Sequence, residues 1–167
     1  MFKKRYFIFL ICLGLIIILF IPQYYYLELK CVDNNEIVFL NRIEPRDIFI
    51  LEYIHSVALT PVTEIFQVDK EHQIILIETN FLDHGAGLPY TPFEQEVFLR
   101  EEGKFKIKNM QRIMPVPIYY RVGESSDNCF YFKEDKIELS SLLGEKLLTI
   151  KIIKKNNLSI LWGGLNK

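Results

Sequence analysis

Length, composition and charge already restrict what this chain can be. It has 167 residues, of which 50% are hydrophobic, and its 20 basic and 21 acidic residues leave a formal net charge of −1. The basic residues do not cluster into the one-sided patch of a nucleic-acid-binding protein or into a polybasic lipid-binding arm. We therefore predict no nucleic-acid partner and a single domain large enough to bury a hydrophobic core.

The N-terminus has the pattern of a membrane anchor. Lys3, Lys4 and Arg5 precede an uninterrupted apolar run at residues 7–21. Residues 6–26 reach the length of about 20 residues that a spanning helix needs, with tyrosines at both ends, where interfacial aromatic residues are found. The positive-inside rule places the N-terminus in the cytoplasm. We expect a single-pass plasma-membrane protein, with residues 1–27 as a signal anchor and 28–167 as an extracytoplasmic domain.

A cleaved secretory signal peptide is the main alternative, because its hydrophobic region can be this short. Cleavage requires small residues just before the cut site, and residues 21–26 (IPQYYY) provide none. A buried helix of a soluble protein is a third alternative. Cys31 and Cys129 lie in the exported part, where an oxidising compartment permits a disulfide. Two separate buried thiols fit the spacing equally well.

Beyond residue 28 the hydrophobic pattern has a period of two, which is typical of strands. Clusters of Asp, Asn, Gly and Pro separate the segments, and only residues 139–146 have a helical pattern, of two turns at most. We predict an all-β fold, either a single antiparallel β-sandwich or a partly open β-barrel, after one N-terminal transmembrane helix. The predicted strands are 36–40, 47–55, 62–68, 73–79, 95–100, 105–109, 118–122, 129–132, 147–153 and 158–162.

The segment HSVALTPVTE, residues 55–64, contains the most informative polar residues. A hairpin with a four-residue loop at 57–60 would place Tyr53 opposite Glu64 and His55 diagonal to it, on one largely apolar face. A carboxylate among apolar neighbours needs a partner. Either His55 or the Tyr53 hydroxyl could provide it.

Several roles remain open for these residues. They could form an internal hydrogen-bonded cluster that fixes strand register, or a ligand site completed by the loop DHGAGLP at residues 83–89. A metal site would combine His55, Glu64 and His84 as a two-His-one-carboxylate set. A Ser–His nucleophile is disfavoured because neighbours along a strand point to opposite faces and no GxSxG elbow is present. The glycines of the loop fit a tight turn or a close backbone approach to a ligand.

We assign no catalytic residue, metal ligand or cofactor from these patterns. The predicted ligand-binding set combines the hairpin residues, the glycine-containing loop and one arginine that could contact a carboxylate. Its members are His55, Ser56, Thr60, Glu64, His84, Gly85, Gly87 and Arg121.

Four motifs in a fixed order connect the chain to a known family. They are F-x-L-x-Y-x-H-S-V at 49–57, T-P-V-x-E-x-F at 60–66, G-A-G-L-P at 85–89 and R-V-G at 121–123. In these motifs, and over about residues 30–153, the chain resembles the bacterial domain of unknown function numbered 1850. The resemblance implies a small exported or membrane-anchored protein, often encoded beside or fused with tripartite (TRAP) transporters that use TAXI-class binding proteins. It implies no established activity.

We therefore expect a membrane-anchored accessory or ligand-binding β-domain of a TRAP-type (TAXI) solute uptake system in a bacterial cell membrane. Its partners would be transporter subunits and a small organic-acid or amino-acid ligand. One alternative is a hydrolase or metal-dependent enzyme that uses His and Glu side chains. The other is a purely structural partner of the transporter's membrane subunits.

Overall fold

A computed structural model of the chain describes most of residues 23–156, and this region is rich in β-strands. Its described residues are 23–82, 93, 95–101, 103–124 and 126–156, together with Tyr6, Phe7, Phe9, Ile11, Leu13 and Gly14. The predicted loop at 83–89, with His84, Gly85 and Gly87, lies outside these residues. The predicted strand 158–162 and most of the predicted anchor lie outside them as well.

Among the described residues, twelve strands and one short helix have defined bounds, and the separate residues Tyr6 to Gly14 named above are helical. The helix, α1, spans Leu139–Leu143, within the predicted helical segment. The strands are β1 (Gln23–Cys31), β2 (Ile37–Arg42), β3 (Ile48–Ile54), β4 (Pro61–Val68), β5 (Ile74–Phe81), β6 (Val97–Glu101), β7 (Lys104–Lys108), β8 (Arg112–Ile113), β9 (Ile118–Val122), β10 (Cys129–Phe132), β11 (Asp135–Glu138) and β12 (Lys146–Asn156).

The strands form two antiparallel sheets. The smaller sheet has the order β2-β1-β12-β9, and the larger has the order β11-β10-β3-β4-β5-β7-β6, with β8 paired to β5. The chain crosses from the larger to the smaller sheet between β8 and β9, where Pro115 and Pro117 lie. Proline cannot donate to a sheet ladder, so the two prolines fit a connection that leaves one sheet for the other. The predicted all-β class is also confirmed.

The core is built by the alternating positions of both sheets. Phe49 and Phe66 stack at 4.8 Å between ring centroids within the larger sheet. Phe39 of the smaller sheet contacts Phe130 and Phe132 of the larger sheet, with centroid distances of 5.0 and 5.7 Å. These rings bury large apolar areas and tie the inward faces of the two sheets to one core.

Each predicted strand that falls on described residues is a strand, but β1, β8 and β11 were not predicted. The sequence pattern places residues 24–26 of β1 at the end of the predicted anchor. They are strand instead, and Leu27 and Leu29 next to them are completely buried. β1 therefore crosses the predicted boundary between residues 27 and 28. β11 has the sequence DKIE, whose exposed charged residues give no hydrophobic alternation.

Two further predictions concern the membrane and the cysteines. Among the described residues, no helix combines the length and the apolar character that crossing a bilayer requires. Cys31 and Cys129 are both free, the first buried and the second half-buried. Burial raises the pKa of the Cys31 thiol, and the nearby Glu36 carboxylate raises it further.

Candidate functional site

The hairpin that carries the HSVALTPVTE segment differs from its prediction by two residues in register. β3 and β4 pair Tyr53 with Val62, Leu51 with Glu64 and Ile54 with Pro61. The connection is therefore residues 55–60 rather than 57–60. A shift of two residues keeps every side chain on its predicted face. Tyr53 and Glu64 still share the inner face, but the predicted diagonal placement of His55 beside Glu64 is wrong.

His55 lies in the turn, where it organises the backbone. Its Nδ1 accepts hydrogen bonds from the backbone N–H groups of Val57 and Ala58, at 3.2 and 3.1 Å. Its own N–H donates to the carbonyl of Thr60, and its carbonyl accepts from Leu59. Side chains that bond nearby backbone groups in this way favour turns over strand continuation. This local satisfaction explains why β3 ends one residue before His55.

Glu64 occupies an inner-face position of β4, between the neighbouring strands. It lies opposite Leu51 of β3 and the buried Thr79 of β5. Tyr53 is its side-chain hydrogen-bond partner. Burial raises the pKa of the Glu64 carboxyl, and the bond from Tyr53 opposes part of that rise. The carboxyl therefore keeps its proton to a higher pH than an exposed glutamate does.

Tyr120 extends this group from the opposite sheet. Its ring meets that of Tyr53 edge-on, with 6.4 Å between the centroids. The amide Nδ2 of Asn128 donates to the Tyr120 hydroxyl at 2.6 Å. Burial is the main reason that the pKa of Tyr120 rises to about 12, and the charge of Glu64 adds to the rise. We refer to Tyr53, Glu64, Tyr120 and Asn128 as the inter-sheet cluster.

Asn128 is the anchor of the cluster, and it is only 2% exposed. Its Oδ1 accepts the backbone N–H of Gly123 at 3.0 Å, and its own N–H donates to Ser140 Oγ at 2.9 Å. The Ser140 hydroxyl reaches the Gly123 carbonyl at 2.7 Å. The R-V-G motif is thus tied to the start of α1. All of these polar groups have partners, which is what a buried network requires.

The other described residues of the predicted site, Ser56, Thr60 and Arg121, do not belong to the inter-sheet cluster. Ser56 is exposed in the turn, and Thr60 at the end of the turn has a buried Oγ1 without a hydrogen-bond partner among the described residues. Arg121 is exposed and pairs with Glu145 at 3.3 Å. It follows Tyr120 along β9, so it points to the opposite face. The side chain of Arg121 therefore does not lie beside that of Glu64.

Three residues of the site were missed by the sequence reasoning. Tyr120 could have been found, because the alternation along residues 118–122 places it inward whenever Arg121 points outward. Asn128 and Ser140 gave no such signal, since they lie in a loop and a short helix whose packing depends on the whole fold.

The inter-sheet cluster consists of groups that form hydrogen bonds. A carboxyl with a raised pKa can donate or accept a hydrogen bond, and two tyrosine hydroxyls and an amide lie beside it. Within the described ranges, no group of three or more His, Cys, Asp and Glu side chains is arranged to hold a metal ion. His84, the third member of the metal set given above as an alternative, lies outside the described residues.

A family model described as "Domain of unknown function (DUF1850)" matches residues 49–139. The matched region begins at the second residue of β3 and extends past the end of β11, and it contains all four residues of the inter-sheet cluster. No curated protein and no solved structure matches the chain.

Proposed function

Since this chain belongs to the DUF1850 family, we propose its function from the geometry of its own residues. It is a membrane-anchored extracytoplasmic domain that binds a small amino-acid or organic-acid ligand as an accessory component of a TRAP-type (TAXI) uptake system. The observation that carries the binding role is the half-buried Glu64 carboxyl with its raised pKa, held by Tyr53 at the junction of the two sheets.

The cluster and the turn above it offer complementary groups to such a ligand. Glu64 can take an ammonium as a carboxylate, or a carboxylate as a protonated acid. The buried Thr60 hydroxyl has no partner among the described residues, and a buried polar group without one is costly. A ligand that reaches it would remove that cost. Ligand sites commonly combine apolar walls with a few polar groups of this kind.

The anchor rests on the apolar N-terminal segment and its cationic start. Tyr6, Phe7, Phe9, Ile11 and Leu13 are helical, and each is 42–67% exposed. Exposed apolar side chains on consecutive turns of a helix favour a lipid environment. We also infer that the two sheets form a sandwich, because each has its own strand order.

The link to a TRAP-type transporter rests on the family resemblance alone.

Thermal unfolding of the full chain in detergent tests the binding role. A panel of free amino acids and small organic acids should contain a compound that raises Tm in the wild-type protein. Glu64→Gln should lose that rise, while Glu71→Gln, in the exposed turn between β4 and β5, should keep it. If no compound raises Tm, or if Glu64→Gln responds like the wild type, the binding role at Glu64 is wrong.

A structural role is the second candidate, and the completeness of the Asn128 network favours it. Every polar group around Gly123, Asn128 and Ser140 is already paired inside the domain. In that case the cluster fixes the packing of the sheets for a partner subunit. Variants Tyr53→Phe and Glu64→Gln would then change stability, but solute uptake by cells that contain the folded variants would stay normal.

A further inference from the structure

The outer face of the larger sheet carries a polar groove that none of the roles above uses. A row of residues crosses four strands in direct register: Glu52 of β3, Thr63 of β4, Asn80 of β5 and Lys106 of β7. These positions alternate with the inner-face residues, so they face away from the inter-sheet cluster. Together with Lys104 they line a cavity of about 430 Å³.

One end of the groove carries the Glu52 carboxylate, and the other end carries Lys104 and Lys106 together with the Glu101 carboxylate. Glu52 and Lys104 form no ion pair with any residue that the structure describes. Lys106 is paired with Glu101 at 3.0 Å, which leaves Lys104 as the available cation at that end. Neighbouring strands lie about 4.8 Å apart, so the backbones of Glu52 and Lys106 are separated by about 14 Å over three strand spacings.

Asn80 in the middle of the row has an unused hydrogen-bonding atom. Its Nδ2 donates to Glu78 at 2.9 Å, but its buried Oδ1 has no partner among the described residues. A buried acceptor without a donor costs free energy. An N–H group of a molecule bound in the groove would satisfy it. The Thr63 hydroxyl, one strand away, can donate or accept beside it.

We propose that this groove binds a short zwitterionic peptide or a molecule of equivalent charge spacing. The ammonium lies toward Glu52, the carboxylate toward Lys104, and an amide N–H donates to Asn80 Oδ1. An extended chain of three residues spans about 10 Å, and the flexible Glu and Lys side chains cover the remaining distance. The cavity volume lies within the range of about 300–1,000 Å³ that is usual for small-ligand sites.

Isothermal titration calorimetry of the full chain in detergent, with triglycine as the probe, tests the proposal. Wild-type protein should bind triglycine, and both Glu52→Gln and Lys104→Gln should weaken binding by about tenfold or more, because each removes a charge-assisted bond. Lys70→Gln and Glu71→Gln, in the exposed turn between β4 and β5, are the matched controls and should bind as tightly as the wild type.

Blocking the ends of the peptide separates this site from a simple charge effect. N-acetyl-triglycine and triglycinamide should each bind more weakly than triglycine. Equal binding of the blocked peptides, or no binding of triglycine by the wild-type protein, would overturn the proposal. So would tight binding of succinate that depends on Lys104 but not on Glu52, because that result describes an anion site. Glu52 and Lys104 are both at least partly exposed, so their variants should fold, which circular dichroism can check.

Discussion

Tyr53 and Glu64 lie on adjacent strands of one sheet, on the same inner face, and are joined by a side-chain hydrogen bond. Each affects the ionisation of the other. The bond lowers the pKa of Glu64 against the effect of burial, whereas burial and the Glu64 charge raise the pKa of Tyr53 well above that of a free tyrosine. The protonation state of this pair therefore links the stability of the domain to pH, and it links both to the binding of any ligand that reaches the carboxyl.

Glu64 should make the domain less stable as pH rises from acid to neutral. Its folded-state pKa is raised, so between the unfolded value of about 4.3 and the folded value the native state binds more protons, and the free energy of unfolding falls with pH. Glu64→Gln should remove this dependence. Urea unfolding of both proteins from pH 4 to pH 8 should show that the free energy of unfolding of the variant rises relative to that of the wild type as pH increases. A constant difference would contradict the shift.

Tyr53→Phe removes the hydroxyl but keeps the ring against Tyr120. We expect a loss of about 1 kcal/mol in the free energy of unfolding, which is the usual net value of one hydrogen bond. The pKa of Glu64 should also rise further, because the bond that lowers it is gone. A double-mutant cycle with Glu64→Gln measures the coupling. Strictly additive effects would show that the two side chains do not interact.

Ser140 and Ser141 provide a matched pair in α1. The Ser140 hydroxyl bonds Asn128 and Gly123, whereas Ser141 is exposed. Ser140→Ala should cost about 1–3 kcal/mol, because it leaves the buried N–H of Asn128 without its acceptor. Ser141→Ala should change stability by no more than about 0.5 kcal/mol. Chemical denaturation measures the free energy of unfolding of both variants. Equal losses from the two changes would refute the anchoring role of Asn128.

Another side chain should be able to replace His55 in the turn if its hydrogen-bond acceptor can reach the same backbone N–H groups. His55→Ala should cost about 1 kcal/mol, since the N–H groups of Val57 and Ala58 lose their acceptor. Asparagine bonds the backbone two residues ahead in many turns. His55→Asn should therefore recover most of the lost stability in urea unfolding. An asparagine variant as unstable as the alanine variant would argue against this turn function.

The sequence was sufficient for nine of the twelve strands and for which of their residues share a face, because both follow from a period of two. It was not sufficient for the register of β3 and β4, because the turn length depended on His55 bonding its own loop. A two-residue error preserves the faces, which is why Tyr53 was correctly placed with Glu64 while His55 was not. β1 was missed because its tyrosines also fit the interfacial end of a membrane helix.

The other contacts of the site depend on tertiary structure. Tyr120 reaches Tyr53 only because the chain crosses to the second sheet between β8 and β9. Asn128 and Ser140 meet because a five-residue helix follows β11 directly. No local pattern encodes the distance between these residues. The outer groove is similar, since its four positions line up only through the exact register of β3, β4, β5 and β7.

A carbon-13 NMR titration of the Glu64 carboxyl, in the full chain with and without an amino acid that raises Tm, tests the central claim most directly. We expect a midpoint clearly above the value of about 4.3 for an unperturbed glutamate, and a displacement of that midpoint when the amino acid is added. A midpoint at or below the unperturbed value, unaffected by every compound tried, would contradict the proposal that the half-buried Glu64 carboxyl binds a ligand.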